Sequence, residues 1–519
     1  MLKKIAIFAA LLFLIALGAI LWHRRTIQQL QNHLQVTTES PLQIRTESIG
    51  DGQFESEIIR GDASIGFCSV ACENPPICLP TKGTIPVWLH GFLLRTGPGL
   101  FEVGSDTFKY WFDGFALLQS FKFDKGTVQY ASKFLKSDFY KGAMKSGKLP
   151  IQEEKKSSFF SKMGALLAKR EPYDNGNINI MKIGNQFVAL TESTFPVAFN
   201  PSTLETYQFA DFDDDLDGHV VTPHPIIDPQ TGNSFNVMTQ FGTTSYYHVY
   251  YIQPNSTKRT IIASVEAKQP SYIHGLSVTQ NYIVLTLTPF VVNPPDLLFS
   301  IKPFLDYFSW KPELGTTFIV IDRATGRTLD SIKTEPFFVL NQINAFEKNN
   351  ELNLDMIIYP DAQIMKATTI ENLRNRPESF GERSQLIRFS INLKNKNVAK
   401  NILSQNSVEL PRINPLFKTK HYRYIYAMGA GFSSIQKVDT ESERIIEWKA
   451  NGCCPTEPVF IPRPHEKKED DGVLITQVLD TINCKSFILI LDAHNLHEIG
   501  RAVLPSIVPF SLHGLYTEA

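Results

Sequence analysis

At 519 residues, with 43% hydrophobic and 20% charged side chains, the chain has the composition of a globular protein with room for a large core. Its length allows several domains or one large closed all-β architecture, and its 37 Phe and 17 Tyr tilt it toward strands. A formal net charge of −1 gives no argument for nucleic acid as a partner, and none is expected.

In chain order, residues 5–22 form an 18-residue run without a charge, between Lys3-Lys4 and His23-Arg24-Arg25. A membrane span needs about 20 residues, and a cleaved secretory signal is the alternative. The apolar region is long for a signal and its basic flank is a poor cleavage context. Residues 1–25 are therefore read as a single-pass N-terminal anchor, a transmembrane helix. Positive charge on both sides leaves its orientation open. Residues 26–82 are polar and irregular and read as a tether and N-terminal arm. An even number of cysteines (Cys68, Cys72, Cys78, Cys453, Cys454, Cys484) permits disulfides, and Asn255-Ser256-Thr257 is a glycosylation acceptor pattern. Both lean toward a lumenal or extracellular catalytic domain.

From residue 83 to 519 the texture changes to short apolar runs separated by turn formers. Tyr282-Ile283-Val284-Leu285-Thr286-Leu287 and Phe487-Ile488-Leu489-Ile490-Leu491 are such runs, and Asp322-Arg323-Ala324-Thr325-Gly326 is such a turn. The pattern predicts an all-β sandwich or propeller, and no fixed repeat period decides between them. Two stretches break it. Residues 157–170 carry Phe159, Phe160, Met163, Leu166 and Leu167 on one helical face, ringed by lysines. That pattern suits a helix lying in a membrane interface, and equally a helix packed on the β-structure. Residues 297–310 are similarly apolar.

Three histidines stand out, each beside Pro or Gly at the edge of a strand-like run: His224 in Thr222-Pro223-His224-Pro225, His274 in Tyr272-Ile273-His274-Gly275, and His513 after the expected strand at 507–512. Neutral imidazoles suit divalent iron, copper, zinc and nickel, and a metal-bound imidazole usually gives its other N–H to a carboxylate. Glu192, Glu409 and Glu457 lie in apolar surroundings that suit this second role. The acidic run Asp211 to Asp217 lacks the twelfth-position Glu of a calcium loop and reads as solvated. No nucleotide-binding, Gly-x-Ser-x-Gly or His-Glu-x-x-His motif is present.

These segments resemble the carotenoid cleavage oxygenases, the family of the animal carotene oxygenases and the retinoid isomerase of the retinal pigment epithelium. The resemblance runs from Gly83-Thr84-Ile85-Pro86-Val87-Trp88-Leu89-His90-Gly91 through Leu94-Arg95-Thr96-Gly97-Pro98-Gly99, Trp111-Phe112-Asp113-Gly114 and Asp174-Asn175-Gly176-Asn177. It closes on Glu469-Asp470-Asp471-Gly472 and Phe510-Ser511-Leu512-His513-Gly514-Leu515. It implies a seven-bladed β-propeller with a small helical cap and Fe(2+) on its axis. His224, His274 and His513 would be iron ligands, with Glu192, Glu409 and Glu457 behind the ligand shell. The substrates implied are O2 and a lipophilic polyene, a carotenoid or apocarotenoid split into two carbonyl products. The family's third histidine falls in Asn341-Gln342-Ile343-Asn344, where the match places Gln342 at the fourth ligand position with Glu409 accepting from its amide. Two other readings stay open: a retinoid isomerohydrolase-like enzyme, and a membrane-anchored carotenoid- or lipid-binding protein impaired by that replacement.

Overall fold

The structure is a computed structural model that describes residues 62–70, 72–149, 173–298, 303–465 and 468–518. The expected anchor (1–25) and the helix carrying Phe159, Phe160, Met163, Leu166 and Leu167 lie outside them. Among the described residues no helix is long and apolar enough to cross a membrane. All six cysteines are unpaired.

The short apolar runs form seven antiparallel sheets of four to six strands. They are the blades of a seven-bladed propeller. Blades 2 to 6 are built mainly from consecutive strands, starting at Asn179–Ile183, Val220–Val221, Ser277–Val278, Phe338–Lys348 and Val408–Arg412. Blade 7 runs through Val459–Pro462, Gly472–Asp480, Lys485–Asp492 and Glu498–Val503. Apolar side chains on alternate strand positions fill the space between neighbouring blades. Val284, Phe318 and Val320 of blade 4, for example, pack with Val339, Leu354 and Phe389 of blade 5. A larger aromatic cluster around Phe67, Trp111, Phe380, Phe432 and Phe510 caps the assembly with short helices such as Ile370–Asn375.

Segments from both ends of the propeller close the ring. Gly514–Glu518 pairs with Gly91–Leu100 as a strand of blade 1, and Thr81–Gly83 pairs with Glu498–Val503 on blade 7. Asn74–Cys78 adds to the far edge of blade 1. Two strands that precede the boundary expected at residue 83 thus pair with the blades, and the compact unit that holds them is Ile58–Ala519. The strand expected at 507–512 is not one. Pro509 has no N–H to give a ladder, and Gln477 Nε2 takes the carbonyls of Val508 and Pro509. The segment is instead held by bonds from Phe510 N to Gly66 O and from Leu512 N to Thr96 O.

Candidate metal centre

The three histidines, 289 positions apart from His224 to His513 in sequence, meet in space. His224 sits between the two short strands Val220–Val221 and Ile226–Ile227 of blade 3, and His274 just before Ser277–Val278 of blade 4. His513 precedes Gly514–Glu518. The His224 ring lies 4.5 Å from that of His274 and 4.7 Å from that of His513, centroid to centroid. The Nε2 atoms of His224 and His274 are 2.9 Å apart.

The opposite edges of two rings are fixed by carboxylates. His274 Nδ1 donates to Glu192 Oε1 at 2.6 Å, and His513 Nδ1 to Glu457 Oε1 at 2.6 Å. Each bond places the proton on Nδ1 and leaves the Nε2 lone pair free. Tyr272 Oη also donates to Glu192. Glu457 further accepts from Arg412 Nε at 2.6 Å and faces the buried Arg95 guanidinium at 3.7 Å. Burial pushes the Glu457 carboxyl up, yet Arg412, His513 and Arg95 together outweigh it and hold the group well below the usual carboxylate range. Burial, and then the neighbouring His274 and His513, push His224 well below the ordinary imidazole range. It is thus neutral near pH 7, the form that offers a lone pair.

Glu409 is handled differently. It accepts from Asn341 Nδ2 at 2.6 Å and from the Tyr359 hydroxyl, and no cation pairs with it among the described residues. Burial pushes it up to about 7, against the pull of Tyr359, the Leu410 N–H and Asn341. The hydrogen bond expected from Gln342 to Glu409 is therefore absent, and Asn341 makes it. Gln342 points the other way: its Oε1 accepts from Ser277 Oγ at 2.5 Å and its Nε2 donates to Gly275 O at 2.9 Å. Successive side chains of a strand face opposite sides, so two adjacent residues cannot both reach the carboxylate on blade 6. Bulges at Val339/Asn341 and Gln342/Asn344 set which one does.

Other matched motifs serve as scaffold. Asn175 and Asn177 donate to the Gly114 carbonyl, tying 111–114 to 174–177. Glu469 accepts from the Arg423 and Tyr424 amides, and Asp470 pairs with Lys437, joining blades 6 and 7. At Gly97 an added Cβ would lie 2.5 Å from Ser511 Cα, so the absent side chain is what lets the His513 segment cross blade 1.

No group of three or more His, Cys, Asp or Glu among the described residues is already spaced as a metal cage. The donor chemistry nevertheless fits a divalent transition metal. Two nitrogens at right angles and about 2.1 Å from one ion lie about 3 Å apart, close to the observed Nε2 separation. Two Nδ1–H groups anchored on carboxylates, with the opposite ring nitrogens turned toward a common point, are what such an ion requires.

Residues 67–518 match the family described as retinal pigment epithelial membrane protein. The chain belongs to this family, the carotenoid oxygenases. It is 31% identical over 509 residues to a mitochondrial carotenoid-cleaving dioxygenase of Pongo abelii, covering 84% of this chain and 91% of the relative. It is likewise 31% identical to a beta,beta-carotene 15,15'-dioxygenase of Mus musculus, over 85% and 89% of the two chains. Among solved structures, an apocarotenoid oxygenase variant of Synechocystis superposes with a TM-score of 0.79 at 26% identity, over 89% of this chain and all (100%) of that one. The cobalt-substituted Synechocystis enzyme superposes at 0.76 and 25% identity, over 88% and 98%.

In this carotenoid oxygenase, sequence reasoning missed Arg95, Arg412, Tyr272, Tyr359 and Asn341. Arg95, fully buried between Leu94 and Thr96, carried one usable signal: a lone cation in an apolar run needs an anion nearby.

Proposed function

We propose that this chain is a membrane-associated, non-haem Fe(II) oxygenase that splits a conjugated double bond of a carotenoid or apocarotenoid with O2, giving two carbonyl products. The observation that carries the reading is the meeting of His224, His274 and His513, with Glu192 and Glu457 taking the Nδ1 protons of two of them. The names of the relatives, a carotenoid-cleaving and a beta,beta-carotene dioxygenase, support the polyene substrate.

These three rings would hold Fe(2+), whose chemistry when bound is activation of O2 and oxidative splitting of the alkene. The chain's own part is placement. Glu192 and Glu457 fix ring orientation and tautomer, and Arg412 and Arg95 keep Glu457 anionic. Tyr272, stacked on His274, continues into an aromatic group with Phe290, Phe308 and Phe338. Such an apolar wall suits a polyene and excludes water. The apolar segment at 297–310 joins this wall through Phe308, against which Phe304 packs.

Membrane association is supported by composition: the uncharged run at 5–22 and the face of Phe159, Phe160, Met163, Leu166 and Leu167. A polyene partitions into bilayers, so a lipid-bound enzyme takes its substrate without carrying it through water. Asn255 of the glycosylation pattern is exposed at a hairpin tip, which supports a lumenal or extracellular catalytic domain.

The test is near-stoichiometric iron in the purified full chain, with cleavage of carotenoids and apocarotenoids in ¹⁸O2. Label in both carbonyl products, read before exchange with water, is the expected result. A retinyl ester isomerised without O2 uptake, or polyene bound and never cleaved, would overturn the reading.

A further inference from the structure

Asn341 and Gln342 are neighbours with opposite commitments. Both polar atoms of the Gln342 amide are engaged, Oε1 by Ser277 and Nε2 by the Gly275 carbonyl. That side chain braces the loop directly after His274, and its one acceptor atom already takes the Ser277 hydroxyl. Asn341 is held by one end only. Its Nδ2 donates to Glu409 Oε2 at 2.6 Å, while its Oδ1 has no donor among the described residues. Glu409 is itself fixed by the Tyr359 hydroxyl and the Leu410 N–H.

This arrangement copies the other two braced positions. At His274 and His513 a carboxylate takes one N–H of the side chain, which turns a lone pair on the far side of the group away from that carboxylate. At Asn341 a third carboxylate takes one N–H of a carboxamide, which turns the carbonyl oxygen away from Glu409 in the same manner. A carboxylate can accept from the amide nitrogen and not from the oxygen, so the orientation of the amide is determined by its partner.

We propose that Asn341 supplies the fourth donor of the metal shell, its Oδ1 completing a set with the Nε2 atoms of His224, His274 and His513, and that Glu409 is its positioning residue. The inference rests on the reading of this centre as a metal site. A neutral carboxamide oxygen is a harder and weaker donor than imidazole. The shell is then less selective for zinc and copper than an all-imidazole set, and it releases its metal more readily.

The experiment measures Fe(II) affinity by chelator competition on the purified full chain, together with the visible d–d spectrum of the Co(II)-loaded protein, which reports donor type and number. Four proteins are compared: the parent, His274→Ala, Asn341→Leu and Asn341→His. Asn341→Leu is expected to weaken Fe(II) binding on the order of tenfold or more and to change the Co(II) spectrum. Asn341→His is expected to tighten binding on the order of tenfold and to move the Co(II) bands to higher energy. If His274→Ala loses the metal while both Asn341 variants keep the parent's affinity and spectrum, the proposal is overturned and the three-histidine site stands. A parent chain that takes up neither ion overturns both. Should Asn341→Leu fail to fold, the Asn341→His arm decides alone: an unchanged affinity and spectrum overturns the proposal.

Discussion

Glu457 is where structure and chemistry depend on one side chain. With no solvent exposure, it accepts from His513 Nδ1, Arg412 Nε and the Gly514 N–H, and it is the anion facing Arg95. Glu457→Gln keeps the shape but removes the charge, which leaves the buried Arg95 guanidinium without its counter-ion. Breaking a buried pair from one side costs about 3–5 kcal/mol. Loss of an outer partner of a metal-bound histidine costs on the order of tenfold to a hundredfold in metal affinity. We expect Glu457→Gln to lower both the thermal midpoint and iron retention. An unchanged midpoint with full iron would show that Arg95 and His513 do not rely on Glu457. The histidines and glutamates of this centre were readable because each lies in a distinctive short motif. Their partners were not, because Arg412 and Tyr359 are ordinary strand residues and Tyr272 an ordinary loop residue, whose significance depends on what they face in the assembled ring. Asn341 was obscured by register. Two bulges between Val339 and Asn344 decide which neighbour meets Glu409, and a linear pattern carries no sign of them.

At the scale of elements, single strands were legible and their assembly was not. The runs at 282–287 and 487–491 are strands with nearly the expected limits, Tyr282–Leu287 and Lys485–Asp492. Alternation and turn residues are local properties, whereas the number of blades follows from closure of the whole ring. The acidic loop at 211–217 shows what alternation adds. Asp211, Asp213, Asp215 and Asp217 face solvent, as expected, while Asp214 turns inward. Its Oδ1 and Oδ2 accept from the Arg259 side chain and its Oδ2 from the Arg259 backbone N–H, so it anchors the loop to the outer strand of blade 3. Burial raises the Asp214 carboxyl, but the Arg259 side chain and the backbone donors more than reverse this, and the net shift is downward. A depressed folded-state value means that the contribution is complete above the unfolded value of about 3.9 and is lost as pH falls through the folded one. Asp214→Asn should therefore lower stability by about 1–3 kcal/mol at pH 7, with the gap to the parent closing below about pH 4. Thermal midpoints of both proteins from pH 3 to 7 measure this; a gap independent of pH would mean that the charge on Asp214 is not what matters.

At the scale of the whole molecule, the two ends of the propeller unit stabilise each other and the candidate metal centre together. Phe67 is fully buried, with its ring 5.3 Å from Trp111, 5.2 Å from Phe510 and 5.7 Å from Phe432. A Cβ on Gly66 would lie 2.4 Å from the Phe510 ring, and Phe510 N donates to Gly66 O. Phe510 lies three positions before His513, so this N-terminal segment supports the C-terminal stretch that carries His513. The same segment continues into strands on the outer edges of blades 1 and 7. Sequence texture, polar and irregular before residue 83, concealed this role because edge strands and a single plug residue need little hydrophobic pattern. Two truncations separate tether from plug. A chain starting at Ile58 retains the compact unit and should fold, melt cooperatively and bind iron like the parent. A chain starting at Thr84 loses Phe67 and both edge strands. Removal of the Phe67 ring alone, as in Phe67→Ala, costs about 3–5 kcal/mol, a large part of the stability of an ordinary domain. The shorter chain should be insoluble, or melt far below the longer one with little iron bound. Equal midpoints and equal iron for the two would show that the propeller closes, and His513 is placed, without the N-terminal plug.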